Sequence, residues 1–422
     1  MKVNLDVIKP RGCGRTDIEW ADYTANPIRA VDRKTGEVGW GCRKCSPGCA
    51  NCYAADINNR FGTRHPFTAA GLAHIDQVLD EGVLQRLMTF RPRGPFKNGR
   101  GRPIVFLGDM MDLFYGDDAD RAAHEAVRER AIEAAMNGPA AMNRDQATAY
   151  VAFPDFAPVP FEMIDQILAV AVLRPDIDFL ILTKRPGRAV EYFNDSRGPS
   201  DGFGWHFSPT HRRVEIASNN IAESRRRDGI DESNWNNAWP LPNVWLGASC
   251  EDQAAADERI PHLLRCPAAV RFLSCEPLIG AVDLSRPLRI EHSDVAGWIH
   301  SPHWYTDGPR IDWVIVGGES GKGARLSDVS WHRSLRDQCR AAGVPFYEKQ
   351  LGERAGITVD ETVSGKALKN SYVRGCGFWP VGNPYADEND WILKIKDRKG
   401  GDPSEWPEDL RVREMPGGHG CR

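Results

Sequence analysis

IDWVIVGGESG (residues 311–321) runs through four apolar residues without alternation, then breaks at a glycine pair into Glu319 and Ser320. A strand that is apolar on both faces is buried on both, as in a parallel sheet covered by helices. Five other runs have the same form: PIVFLGDMMD (103–112), DFLILTKRP (178–186), NVWLGASCED (243–252), VRFLSCEPL (270–278) and VPFYEKQLGE (344–353). Helical patterns lie between them, over 120–136, 161–173, 186–194, 252–265 and 330–342. Alternating strand and helix means repeated βαβ units, so the expected fold class is α/β: a parallel (β/α) barrel or an open doubly wound sheet.

Each run ends in polar residues, and in parallel barrels the reactive groups sit where strands end. The ends here carry Asp109 and Asp112; Thr183 and Lys184; Ser249, Glu251 and Asp252; Ser274 and Glu276; Glu319 and Ser320; Lys349 and Gln350. Any strand must end at a polar surface, but a whole ring of carboxylates, hydroxyls, amides and lysines fits a polar cavity. Glu319, Lys349 and Glu276 are the candidate catalytic groups. Residues 113–160 and 195–242 interrupt the pattern as insertions on a barrel spanning 1–353. The tail, 354–422, is poor in apolar periodicity and reads as a loop-rich cap.

Composition narrows the function classes. The 422 residues hold 54 basic and 58 acidic side chains, a formal charge of -4, which excludes a strongly basic nucleic-acid wrapper but not a local basic stripe. No stretch approaches the ~20 apolar residues needed to cross a bilayer, and the first residues lack the apolar core of a secretory signal. A cytoplasmic protein with no membrane partner is expected. Of its 11 cysteines, Cys42, Cys45, Cys49 and Cys52 fall in one window, GCRKCSPGCANCYA (41–54). An odd total without an export signal argues against a disulfide framework and for metal or redox chemistry.

The window contains C-x3-C-x2-C from Cys45 and C-x6-C-x2-C from Cys42. Three thiolates on one loop can hold three irons of a [4Fe–4S] cluster and leave the fourth open to S-adenosylmethionine (SAM). One-electron cleavage of SAM would then yield a 5′-deoxyadenosyl radical, chemistry that belongs to the cofactor while the protein orients it and excludes water. A closed four-cysteine zinc site is the competing reading, but paired C-x2-C knuckles are normally a dozen or more residues apart. A ferredoxin-type carrier would place its cysteines in a different order.

The segments DIEWADYTANPI (17–28), GCRKCSPGCANCYA (41–54), FLGDMMDLF (106–114), LTKRPGR (182–188), AVRFLSCEPLIG (269–280), IDWVIVGGESGKGARL (311–326) and WPEDLRVREMP (406–416) resemble the radical-SAM-like phage Gp37/Gp68 family. That resemblance implies a partial (β/α) barrel of the radical-SAM type. It maps a C-x6-C-x2-C cluster motif onto Cys42, Cys49 and Cys52, with Cys45 the alternative first ligand. It also implies that Asp109 or Asp112 accepts from the SAM ammonium, and that Ser249 and Glu251 contact its carboxylate or ribose. Glu319 would then belong to the substrate pocket or the ribose contact. Lys184, with Arg185 and Arg188, suits a phosphate or the SAM carboxylate.

The 195–242 insertion places His206, His211, Arg212, Arg213 and Arg225 to Arg227 among Trp205, Trp235 and Trp239, an interleaving that can track phosphates and stack bases. With the phage resemblance, this points to a DNA or nucleotide substrate. A nucleobase, for instance a hypermodified thymidine to be isomerised, would be extruded from its stack for reaction. An electron donor of flavodoxin or ferredoxin type is the other expected partner. The different-class alternative is a nonenzymatic, zinc-bound module associated with nucleic acid.

Overall fold

A computed structural model describes residues 14–97, 101–138, 142–151, 154, 156–195, 209–224, 239–289, 309–321, 323–358, 378–380, 390–393 and 395–416. The chain is mixed α/β with mostly parallel strand pairing, and it divides into two compact units. The first comprises residues 1–45 and 52–244; the second comprises 46–51 and 245–422.

In the first unit, β1 (Gly14–Arg15) pairs antiparallel with β2 (Tyr23–Ala25), and the chain then leaves the sheet. It forms a small antiparallel sheet from β3 (Ile28–Asp32), β4 (Val38–Gly39) and β5 (Ile75–Leu79). The cysteine loop follows β4 and leads into helix α1 (Tyr53–Phe61). After α2 (Ala69–Leu72) and α3 (Glu81–Thr89), β6 (Ile104–Leu107) enters between β2 and β7 (Asp178–Thr183), parallel to both. All four side chains of β6 are buried, as an unalternating apolar run requires.

Helices α4 (Asp118–Met136) and α5 (Arg144–Val151) fill most of the first insertion, and α8 (Pro209–Ser224) much of the described part of the second. Between them, α6 (Phe161–Leu173) and α7 (Pro186–Asn194) have the limits that their periodicity predicts. The Asn243 amide nitrogen lies 2.9–3.1 Å from the carbonyls of Ala171, Arg174 and Ile177, satisfying acceptors where α6 ends and β7 begins.

In the second unit, β8 (Val244–Ser249), β9 (Val270–Cys275), β10 (Trp313–Gly317) and β12 (Phe346–Gln350) pair in that order, all parallel. Helix α9 (Gln253–Leu264) links the first two, capped by the Asp252 carboxylate on the Ala255 amide at 2.8 Å. The short β11 (Ser327–Asp328) leads into α10 (Val329–Ala342), which ends on Gly343 in the left-handed conformation (φ 67°) that a side chain would strain. Trp245 and Trp313 meet edge to face at 6.1 Å in a core where both are fully buried. Neither unit's strands close on themselves among the described residues.

The tail departs from the loop-rich expectation. β13 (Ala355–Thr358), β14 (Phe378–Pro380) and β15 (Asp390–Leu393) join β11 in a sheet of order β11-β13-β15-β14. Leu351, Leu393, Trp406 and Leu410 bury against Val329 of α10. Three strands of four residues or fewer, with turn residues between, carry too little periodicity to be seen in the chain alone. No helix among the described residues is long and apolar enough to cross a membrane.

Candidate functional site

The register of the parallel strands brings the predicted residues to strand ends within each unit. In the first, Leu107 pairs with Ile181, so the loop after β6 meets the end of β7. The Thr183 hydroxyl donates to Asp112 Oδ1 at 2.7 Å, and the Lys184 amide donates to Oδ2 at 3.0 Å. The Phe114 amide (3.0 Å) and the Arg185 guanidinium (3.0 Å) take the remaining positions on that carboxylate. Asp112 is therefore a saturated structural acceptor. Asp109 differs: Asn26 donates to it at 2.6 Å, while the Tyr53 hydroxyl donates chiefly to its carbonyl oxygen, also at 2.6 Å. Burial pushes the Asp109 carboxyl up, against the bonds from Asn26 and Tyr53.

Arg185 does not present its charge to a ligand. It is almost completely buried, bonded to Asp112, to both oxygens of Asp120 (2.5 and 2.8 Å) and to the carbonyl of Arg43 (3.0 Å). Despite burial, these carboxylates hold its pKa well above the ordinary value, and Cys42 and Cys45 are among the groups acting on it. The Arg43 guanidinium in turn bonds Asp120 at 2.5 Å. One charged knot thus anchors the main chain between Cys42 and Cys45. Cys42 and Cys52 also lie against an apolar wall built on Ala54, Phe67 and Met110. Cys52 is the N-cap of α1.

The part of the loop from Ser46 to Asn51 belongs to the second unit. Ser46 hydrogen-bonds the buried Glu251, which also accepts from Arg259 at 2.8 Å. A Cβ on Gly48 would stand 2.8 Å from the Glu251 carboxylate, so only glycine lets the loop approach this closely. Arg325 forks onto Glu319 (2.9 and 2.7 Å) and donates to the Pro47 carbonyl at 3.0 Å. Asn51 donates to the Gly323 carbonyl at 3.0 Å. Burial opposes ionisation of Glu319, but the bonds from Arg325 outweigh it and hold the carboxyl below its usual range. Glu319 and Glu251 are thus committed to arginines that hold or flank the loop. Asp252, and not Glu251, caps α9.

Glu276 and Lys349, two candidate catalytic residues from different strands, form an ion pair at 2.5 Å and remain partly exposed. Ser249 is buried, and its carbonyl accepts from Arg259 at 2.9 Å. Cys250 and Cys275 are fully buried, and burial, with Cys250 beside it, pushes the Cys275 thiol well up; both behave as small hydrophobes. Ser327, His332 and Glu348 line up as hydroxyl, imidazole and carboxylate (2.8 and 3.0 Å), but all are buried and the hydroxyl lies 3.1 Å from the Leu278 carbonyl. That line is a core network without substrate access.

Within the second insertion, Arg213 pairs with Asp165 (3.0 Å), Arg212 with Glu215 (2.6 Å), and His211 stacks on Trp239 at 5.1 Å. Arg213 and His211 are thus engaged by partners in the fold, while the Arg212–Glu215 pair is partly exposed. Trp205, His206, Arg225 to Arg227 and Trp235 lie outside the described residues, as do Cys13, Cys376 and Cys421.

All four cysteines of the window are partly exposed, whereas the other described cysteines are buried. A donor set of four partly exposed sulfurs on one short loop fits an iron–sulfur cluster. Among the described residues no group of three or more His, Cys, Asp or Glu is gathered as a metal site.

The chain matches the model of a family described as proteins of unknown function (DUF5131) over residues 15–129 and 116–376. It belongs to that family. The match takes in the cysteine loop and every candidate site residue. No curated protein and no solved structure matches the chain.

Proposed function

We propose that this DUF5131 member is a radical-SAM enzyme built on a partial (β/α) barrel, in keeping with its resemblance to the phage Gp37/Gp68 family. The observation that carries the reading is the set of four partly exposed cysteines between Cys42 and Cys52 in a chain whose other described cysteines are buried. Cys49 and Cys52, with Cys42 or Cys45, would hold an open [4Fe–4S] cluster. With SAM bound and an electron supplied by a flavodoxin- or ferredoxin-type donor, such a cluster supplies one-electron cleavage of SAM to methionine and a 5′-deoxyadenosyl radical.

The chain's own residues take the remaining roles. Asp109, with acceptor capacity left over from Asn26, receives the SAM ammonium. The wall of Phe67, Met110 and Ala54 covers one side of Cys42 and Cys52. The Glu276–Lys349 pair is the candidate for holding and passing a proton at the substrate. Lys184 remains a candidate for an anionic group of substrate or SAM, and Ser249 one for a SAM contact. The substrate we propose is a nucleobase in DNA or a nucleotide.

Anaerobic reconstitution, reduction and addition of SAM test the reading. About four irons and four sulfides per chain, with 5′-deoxyadenosine formed, are expected. One zinc without sulfide would establish the nonenzymatic module instead. Replacing Cys42 and Cys45 separately with alanine assigns the third ligand: loss of the cluster spectrum in only one variant identifies it.

A further inference from the structure

We infer that Arg325, oriented by Glu319, and Asn51 are positioning residues that hold the main chain around Cys49 before any cluster binds; this rests on the radical-SAM reading. The sequence between Cys45 and Cys52 has little reason to keep one shape alone. Its only regular element is a single turn of 3-10 helix at Pro47–Cys49, without a side-chain cap. Its internal bonds include the Cys49 amide to the Ser46 carbonyl at 2.9 Å, the Ala50 amide to the Pro47 carbonyl at 3.1 Å, and Ser46 Oγ with Cys49 Sγ at 3.7 Å.

The restraint comes from elsewhere in the second unit, at both ends of that turn. Arg325 bonds the Pro47 carbonyl, and its own direction is fixed by a two-pronged bond to Glu319, while the Arg325 amide also donates to Glu319 at 2.9 Å. A planar guanidinium can hold a carboxylate and a carbonyl together; a lysine ammonium lacks that fork. Asn51 closes the other end on the Gly323 carbonyl. Between the two, Gly48 lies against Glu251. The segment is therefore fixed at one end by the Arg325 side chain and at the other by its own Asn51 on the Gly323 carbonyl, and the Cys49 thiol is presented from a main chain already in place. Glu319, a candidate catalytic residue on sequence grounds, acts here through Arg325 and not on substrate.

The test uses the whole chain carrying Arg325→Ala, Arg325→Lys or Asn51→Ala, with Arg340→Ala on the exposed face of α10 as control. Amide hydrogen exchange of Cys49 and Ala50 in cluster-free protein is the first readout; iron loss to a chelator after reconstitution is the second. Losing a charge-assisted bond to the loop should speed exchange there about tenfold in Arg325→Ala, less in Arg325→Lys, with the global unfolding midpoint unchanged. Iron should be lost faster in the same order. Exchange and iron loss equal to wild type in both Arg325→Ala and Asn51→Ala would overturn the positioning role while leaving the cluster intact. Faster exchange in a protein that takes up no iron even as wild type would leave the restraint standing and remove the radical-SAM reading.

Discussion

Two aspartates three residues apart, Asp109 and Asp112, are equivalent in the sequence and distinct in the fold. Asp112 carries four hydrogen bonds, including the buried Arg185, whereas Asp109 keeps acceptor capacity. Asp112→Ala should therefore destabilise the protein by about 3 kcal/mol or more in denaturant unfolding, because it strips one partner from a buried guanidinium. Asp109→Asn should leave the unfolding midpoint nearly unchanged and weaken SAM binding to the reconstituted protein about tenfold, measured by equilibrium dialysis, as expected for loss of one charge-assisted bond. Equal SAM affinity in Asp109→Asn and wild type would exclude Asp109 as the ammonium acceptor. The distinction was illegible in GDMMD because it depends on Thr183 and Arg185, some seventy residues away.

At the scale of elements, the long helices and the buried strands were legible. The limits of α6 and α7 follow directly from 3.6-residue periodicity, and β6 to β10 from unbroken apolar runs. The small antiparallel sheet and the tail strands were not, since each is short and draws its order from partners. The tail is joined to α10 by charge: Arg333 bonds Asp409 at 2.9 Å, and Arg336 bonds it as well. The bond from Arg333, aided by Arg336 against the effect of burial, lowers the Asp409 pKa from 3.8 to about 2. A carboxyl depressed in the fold stabilises fully above its unfolded value and loses that contribution as pH falls through the folded one. The stability difference between wild type and Asp409→Asn should thus be constant above about pH 5 and shrink progressively between about pH 4 and pH 2. Denaturant midpoints across that range check it; a difference independent of pH would show that the ion pairs contribute nothing.

At the scale of the whole chain, the candidate chemistry depends on an eleven-residue window, Cys42 to Cys52, that the fold treats as two pieces. The Arg43–Asp120–Arg185 knot holds its first part, and Glu251, Arg325 and Gly323 receive its middle. If the thiols bind a cluster, stripping the iron with a chelator should lower the thermal unfolding temperature, because a ligand that binds only the native state adds to its stability. An unchanged transition after complete iron removal would show that the loop contributes nothing to holding the chain together.

Local pattern was sufficient for the α/β class, the main helices and strands, and the thiol-rich loop. Those properties are written in residue type and near spacing, and burial of apolar periodicity enforces them within a few turns of chain. Which partner each polar strand-end residue takes was set only by folding. Arg325 and Arg259 reach the candidate residues Glu319 and Glu251 from six and eight residues along the chain, whereas Ser46 reaches Glu251 from 205 residues away. Glu276 and Lys349, 73 residues apart, became a pair only through the parallel register of β9, β10 and β12. A buried charge takes its role from the partner that neutralises it, and that partner is chosen in three dimensions.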